Sequence, residues 1–251
     1  MIKSTPCMKL HIEDPYASYQ AAVSENPDNA LKNKGGLLAV GIESKLWKPG
    51  RTLTISFLGK PSESLKDLLK ALILEWEPLV NLTFKFVEGN DGIIKIQTNA
   101  RSNASHIGTD ALLYGPGEPT MFIANQPSNP EFRASVLHEF GHVLGLHHEH
   151  LHPDADIPWN RKKVYEVYAS KWGMSKELVD LNIFTPISEH VMVGKYDQDS
   201  VMHYPVEKEL TDGKLEVSLN SNISSEDKRI IQILYPLTPP GGGGGGDCEQ
   251  P

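Results

Sequence analysis

The stretch His138-Glu139-Phe140-Gly141-His142-Val143-Leu144-Gly145-Leu146-His147-His148 decides how this 251-residue sequence is read. Phe132, Val136, Phe140 and Val143 recur at helical spacing across residues 131–144, and Gly145 stands where such a helix stops. The helix sets His138 and His142 one turn apart on one face, so both imidazoles reach a single ion. A third ligand on the same straight helix would overshoot. The chain must turn back, Gly145 suits the left-handed conformation that such a turn requires, and His148 becomes the natural third ligand. Choosing His147 instead leaves the spacing one residue short. Three neutral nitrogens leave the fourth tetrahedral position of a zinc ion to water, whose pKa falls there from 15.7 to about 7. An H-E-x-x-H match alone arises by chance in many proteins; the full pattern is much rarer and coincides with an independently predicted helix and stop.

Upstream, Leu53, Ile55 and Phe57 alternate with Thr52, Thr54 and Ser56, the period of a half-buried strand. Leu65, Leu68, Leu69, Leu72, Ile73 and Trp76 then predict an amphipathic helix, with Ser64 and Asp67 as its capping pair. Strands are predicted at Leu82, Phe84 and Phe86 and at Ile94 and Ile96. Residues 98–120, with Gly108, Gly115, Pro116, Gly117 and Pro119, predict a long surface loop leading to a short apolar strand at 121–124. Downstream, helices are expected over 161–172, 175–182 and 224–235, the last capped by Ser224 with Asp227. Residues 1–45, with Pro6, Pro15, Pro27 and Gly35-Gly36, predict an irregular leader whose one short helix spans 19–24. Pro239-Pro240 and the glycines from Gly241 to Gly246 predict a flexible tail.

Hydrophobic residues at 39% and charged residues at 22% are ordinary for a soluble domain, and no apolar run offers a membrane span. The net charge of -8 argues against a nucleic-acid ligand. Arg161-Lys162-Lys163 reads as solvated helix surface. Cys7 and Cys248 are the only cysteines, which excludes a disulfide framework inside the domain.

The motif resembles the metzincin clan of zinc peptidases and, within it, the astacin family. His148-Glu149-His150 matches the astacin pattern after the third histidine, and Ser200-Val201-Met202-His203-Tyr204 resembles the astacin Met-turn with its tyrosine. A looser similarity covers residues 46–236, including Leu46-Trp47-Lys48-Pro49-Gly50, Ile107-Gly108-Thr109 and residues 224–236. The resemblance implies an α+β, metzincin-like zincin fold: a twisted mixed β-sheet with two long helices in an upper lobe, an irregular lower lobe and an active-site cleft between them. It implies a zinc-dependent endopeptidase with one Zn2+ per chain, cutting proteins or peptides through a metal-activated water with Glu139 as general base. Met202 would form the apolar floor beneath the metal. Tyr204 would be a fifth ligand that swings away to hydrogen-bond the tetrahedral intermediate.

On this reading residues 1–45 are a leader or pro-like segment, 46–236 the catalytic domain and 237–251 a Gly-rich tail. The paired disulfides usual in animal astacin domains are missing, and the leader stands in place of the short mature N-terminus that approaches the residue matching Glu149. Thiolate is a strong zinc ligand, so Cys7 is a candidate ligand of a latent form, against the simpler alternative of a free or tail-paired cysteine. Cys248 has similar freedom on its glycine tether. His106, His190 and His203 read as structural or exposed, His150 and His152 as hydrogen-bonding support for the metal-site loop, and Trp159 with Asn160 as packing anchors. A peptide is expected to lie along an exposed strand edge at 121–124. A monomer is the default expectation. The resemblance implies secretion, although residues 1–6 carry no apolar secretory stretch. Two other classes compete: a catalytically idle zinc module, which four protein ligands would close, and a zinc hydrolase of non-peptide substrates.

Overall fold

A computed structural model describes residues 7, 10, 12–30, 44–187 and 194–237. The expected tail beyond residue 237, Cys248 and His190 lie outside them. In chain order the elements are helix α1 (Pro15–Glu25), strand β1 (Thr52–Leu58), helix α2 (Glu63–Ile73), and strands β2 (Thr83–Phe86), β3 (Ile94–Thr98), β4 (Ala104–Ser105) and β5 (Met121–Ile123). Helices α3 (Phe132–Val143), α4 (Arg161–Trp172), α5 (Lys176–Val179) and α6 (Ser225–Leu234) follow.

The strands form one mixed sheet in the order β2-β1-β3-β5-β4. The first four of that order pair parallel, and β4 runs antiparallel to β5. Because β1 lies between β2 and β3, both of its edges are paired. Ser56, at a position that alternation assigned to the wet face, is buried like Leu53 and Ile55, and its hydroxyl accepts the Gly92 N–H at 3.3 Å.

Apolar burial fixes the two long helices of the upper lobe. Leu69 and Ile73 of α2, with Trp76 just beyond it, share a cluster with Val136 and Phe140 of α3 and with the sheet residues Leu53, Ile55, Phe84 and Ile94. Phe84 meets Phe140 edge to face at 5.0 Å. Each such side chain contributes about 1.5–3 kcal/mol on burial, which outweighs the weak helical preference of Gly141 inside α3. A separate cluster of Val164, Tyr168, Met174, Val179, Ile183 and Leu210 holds the more irregular lower lobe. A cleft lined by Ala134 and Ser135 of α3 and Tyr168 and Trp172 of α4 separates the two. No helix of the described residues is long and apolar enough to cross a membrane.

Several expectations are corrected. The cap of α2 is Ser62, whose hydroxyl accepts the Leu65 N–H at 3.3 Å, not Ser64. β5 is not an edge: β3 and β4 occupy both of its sides, so the outer strand at this end of the sheet is β4, whose Ala104 and Ser105 are buried. The expected helix at 175–182 is α5 running on into a π-turn at Asp180–Phe184. The expected surface loop at 98–120 contains β4 and a 3-10 turn at Gly108–Leu113, and His106, Thr109, Asp110 and Ala111 are buried.

That segment is covered by α1, which is longer than the short helix expected at 19–24. Asp14 caps α1 by accepting the Tyr16 and Ala17 N–H groups, and Pro15 occupies the first turn, where no N–H is needed. Ser18 donates to Asp110 at 2.5 Å, and Lys45 pairs with the same carboxylate. The Asn29 amide pairs with both backbone groups of Leu46, at 3.1 and 2.8 Å, and Asn26 donates to the Trp47 carbonyl. Gly108 has φ +48, and a methyl group added there would overlap the Lys45 carbonyl. Gly108→Ala is therefore expected to cost about 2–3 kcal/mol, read as a lower urea midpoint at an unchanged m-value.

Candidate active site

Helix α3 ends in a Schellman motif at the point where sequence spacing requires a turn. Gly145, at φ +92, donates to the His142 carbonyl at 2.8 Å, and Leu146 donates to Gly141 at 3.0 Å. The last carbonyls of α3 find distant partners. Trp47 Nε1 donates to Val143 at 2.7 Å, and the Tyr235 hydroxyl donates to Leu144 at 2.9 Å while accepting the Trp47 N–H. The reversal delivers His148 beside His138 and His142, with ring centroids 4.6 to 5.2 Å apart. His147 is half-buried and stands outside the cluster of candidate ligand atoms.

Ring orientation is set by backbone carbonyls. His138 Nδ1 donates to Val201 at 2.8 Å and His142 Nδ1 to Leu146 at 2.7 Å. Each bond leaves the Nε2 lone pair of its ring facing inward. His138 Nε2 is buried without a hydrogen-bond partner, and His142 Nε2 lies 2.9 Å from His148 Nε2. Burial, more than any neighbour, pushes the His138 imidazole down to about 4 and His148 well below its ordinary value, so both are neutral at physiological pH. Buried, neutral nitrogens with inward lone pairs are the donor set that zinc takes, and these residues fit that ion.

A fourth candidate ligand atom comes from Cys7. Cys7 Sγ and the three imidazoles all offer ligand atoms within 4.8 Å of one another. The same thiol donates to Glu139 Oε2 at 3.3 Å, and the Cys7 carbonyl accepts from the Tyr204 hydroxyl. Glu139 Oε1 is buried without a partner. Burial drives the Glu139 carboxyl up to about 8. Burial first, then the Glu139 charge, raises the Cys7 thiol, and burial likewise raises Tyr204, which stays a proton donor.

Met202 lies against Gly141, between the two helical histidines in sequence, where an added methyl would overlap its sulfur. The turn carrying it is pinned by Asp227 of α6, which accepts from Ser200 Oγ at 2.6 Å, Val201 N at 2.8 Å and Ser224 N at 2.9 Å. The capping pair legible in the sequence thus also holds the segment that orients His138. His150 stacks on Tyr204 at 4.1 Å and donates to the Asn182 carbonyl. His203 is buried between the Tyr196 hydroxyl and the Tyr204 carbonyl, His106 is buried beside Tyr114, and His152 accepts the Asp154 N–H. Trp159 packs edge-on to Phe184, and Asn160 caps α4. Glu149 accepts the Asp197 N–H at 2.9 Å, and burial raises its carboxyl to about 8. Sequence reading missed Trp47 and Tyr235 as partners of α3 because both sit about a hundred residues from it. It missed β4 because two residues carry no periodicity.

Residues 40–230 match the family described as Astacin, a family of peptidases. Among solved structures, myroilysin superposes with a TM-score of 0.73 at 36% identity, over 77% of this chain and 96% of that one. Tolloid-like protein 1 of Mus musculus is 25% identical over 179 residues, 70% of this chain and 16% of that protein. Astacin-like metalloprotease toxin 2 of Loxosceles intermedia is 28% identical over 170 residues, 66% of this chain and 58% of the toxin. The chain therefore spans less than two thirds of the length of either curated relative. Asp227→Ala is expected to leave the chain folded but weaken metal retention about 10- to 100-fold, because the Val201 carbonyl that orients His138 loses its support; competition with a fluorescent zinc chelator measures it.

Proposed function

This chain belongs to the astacin family of metallopeptidases, and on that premise we propose that it is a zinc-dependent endopeptidase, one zinc ion per chain, held by His138, His142 and His148. The observation that carries this reading is the convergence of those imidazoles beside Glu139, whose outer oxygen has no partner in a buried site. When bound, zinc supplies Lewis-acid chemistry, polarising a carbonyl and acidifying water. Glu139 takes the proton of the attacking water and returns it to the leaving amine as the C–N bond breaks. The raised carboxyl matches that double role, since a group poised near neutrality both accepts and gives a proton. Tyr204 donates its hydroxyl hydrogen to the oxyanion, and Met202 packs the floor beneath the ligand helix. The antiparallel edge of β4 supplies the backbone groups against which an extended substrate aligns.

Residues 1–45 act on this reading as a pro-like segment that keeps the domain at 46–236 latent. Cys7 presents two atoms at once: its thiol stands among the imidazoles and beside Glu139, and its carbonyl takes the Tyr204 hydrogen bond. The imidazole cluster, the base and the oxyanion donor are all met by one residue. Leu10 and Ile12, two positions apart as in an extended strand, line the continuing groove with Ile107, Leu151 and Ile187. A module whose zinc is purely structural draws its closing ligand from the fold itself, whereas here the closing thiol comes from the leader.

Glu139→Gln keeps the ligand set and is expected to retain zinc while kcat/KM for a peptide falls about 10²- to 10⁴-fold; turnover at the wild-type rate would contradict the base assignment. Cys7→Ser removes the thiolate ligand. Casein hydrolysis by the full chain is expected to rise, and an unchanged rate would end the latency reading.

A further inference from the structure

The return of a proton from Glu139 to the leaving amine fixes an orientation. The amine is the first atom of the product C-terminal to the cut, so the residue carrying it must lie on the Glu139 side of the three imidazoles. A cavity opens there, bordered by Glu139, His138 and Tyr204. The groove holding Leu10 and Ile12 opens instead beside His142, His147 and His148.

One wall of the cavity is apolar. Tyr168 and Trp172 come from α4, Val201 lies beside Met202, Pro205 follows Tyr204, and Leu210 and Leu219 complete that wall. Its interior amides already have partners: Asn103 donates to Ser135, and Asn220 donates to the Gln198 and Ser200 carbonyls. Among the described lining residues there is no lysine or arginine, and the two charged side chains besides Glu139 are the carboxylates Glu131 and Glu207. A desolvated carboxylate entering this space would meet no cation among the described lining residues and would come near the carboxylates of Glu131 and Glu139, which is costly at low dielectric. A large apolar side chain would remove its own surface and that of the ring walls from water.

We propose that this cavity receives the side chain immediately C-terminal to the cleaved bond, accepting large apolar or aromatic residues and excluding Asp and Glu. The assignment rests on the peptidase reading above, since that reading orients the substrate. Leu219 marks the accessible wall: it is 38% exposed, so a longer polar side chain is tolerated there and reaches the cavity.

The test uses two internally quenched peptides, identical except for Phe or Asp after the scissile bond, with the zinc-loaded full-length Cys7→Ser chain and cleavage positions mapped by mass spectrometry. The Phe peptide is expected to be cleaved with a kcat/KM about 100-fold or more above that of the Asp peptide. Leu219→Arg is expected to shrink that ratio about tenfold by raising Asp cleavage. Equal rates, a preference for Asp, or a ratio unmoved by Leu219→Arg would overturn the assignment. A second arm measures binding of both peptides to the Cys7→Ser, Glu139→Gln double variant by fluorescence anisotropy. Tighter binding of the Phe peptide without turnover by the Cys7→Ser chain would sink the peptidase reading and sustain the pocket. Absent or equal binding would overturn the pocket.

Discussion

Three imidazoles buried against one another are the constraint on which the rest of the structure depends. His142 Nε2 and His148 Nε2 approach to 2.9 Å, and His138 Nε2 has no hydrogen-bond partner at all. The His138 nitrogen forfeits its water without gaining a hydrogen bond in return, which costs free energy unless a cation takes its lone pair. Such an arrangement persists only when its surroundings over-determine it. The carbonyls of Val201 and Leu146 fix two ring orientations, the Schellman turn at Gly145 fixes the return of the chain, and Trp47 and Tyr235 satisfy the last carbonyls of the ligand helix. The site is thus built from opposite ends of the chain and locked by the same apolar cluster that closes the upper lobe.

The leader is held by the same logic. Its thiol is buried among the three imidazoles and donates to Glu139. It arrives there because helix α1 is pinned by Asp110 and because the Asn29 amide mimics a strand partner for Leu46. These anchors lie apart from the site, so the docking of α1 and the placement of Cys7 beside Glu139 rest on separate contacts.

Much of the site was legible because its chemistry is local. The candidate ligands fall at i, i+4 and i+10 around one helix stop, and Ser224 with Asp227, and Gly145, mark helix ends through side chains or conformations acting within four residues, whereas Asn160, read as a packing anchor, caps α4 instead. The fold class followed from the motif's family resemblance and from the strand and helix periods. What could not be read depends on contacts between distant residues. The burial of 98–120 follows from α1 lying over it, the edge position of β4 follows from sheet order, and the second task of Asp227 follows from α6 packing against the Met-turn segment. One further signal is local: Asp14-Pro15 is a helix start, and it extends the leader helix well before Tyr19.

The central claim is that three imidazoles of the domain and one thiol of the leader surround a single metal ion. Zinc K-edge X-ray absorption on the zinc-loaded full-length chain, with metal content measured on the same sample, tests it most directly. One zinc per chain is expected, with three nitrogen scatterers at about 2.0–2.1 Å and one sulfur at about 2.3 Å, the sulfur vanishing in Cys7→Ser. A shell lacking sulfur in the wild-type chain, or fewer than three imidazoles around the ion, would contradict it.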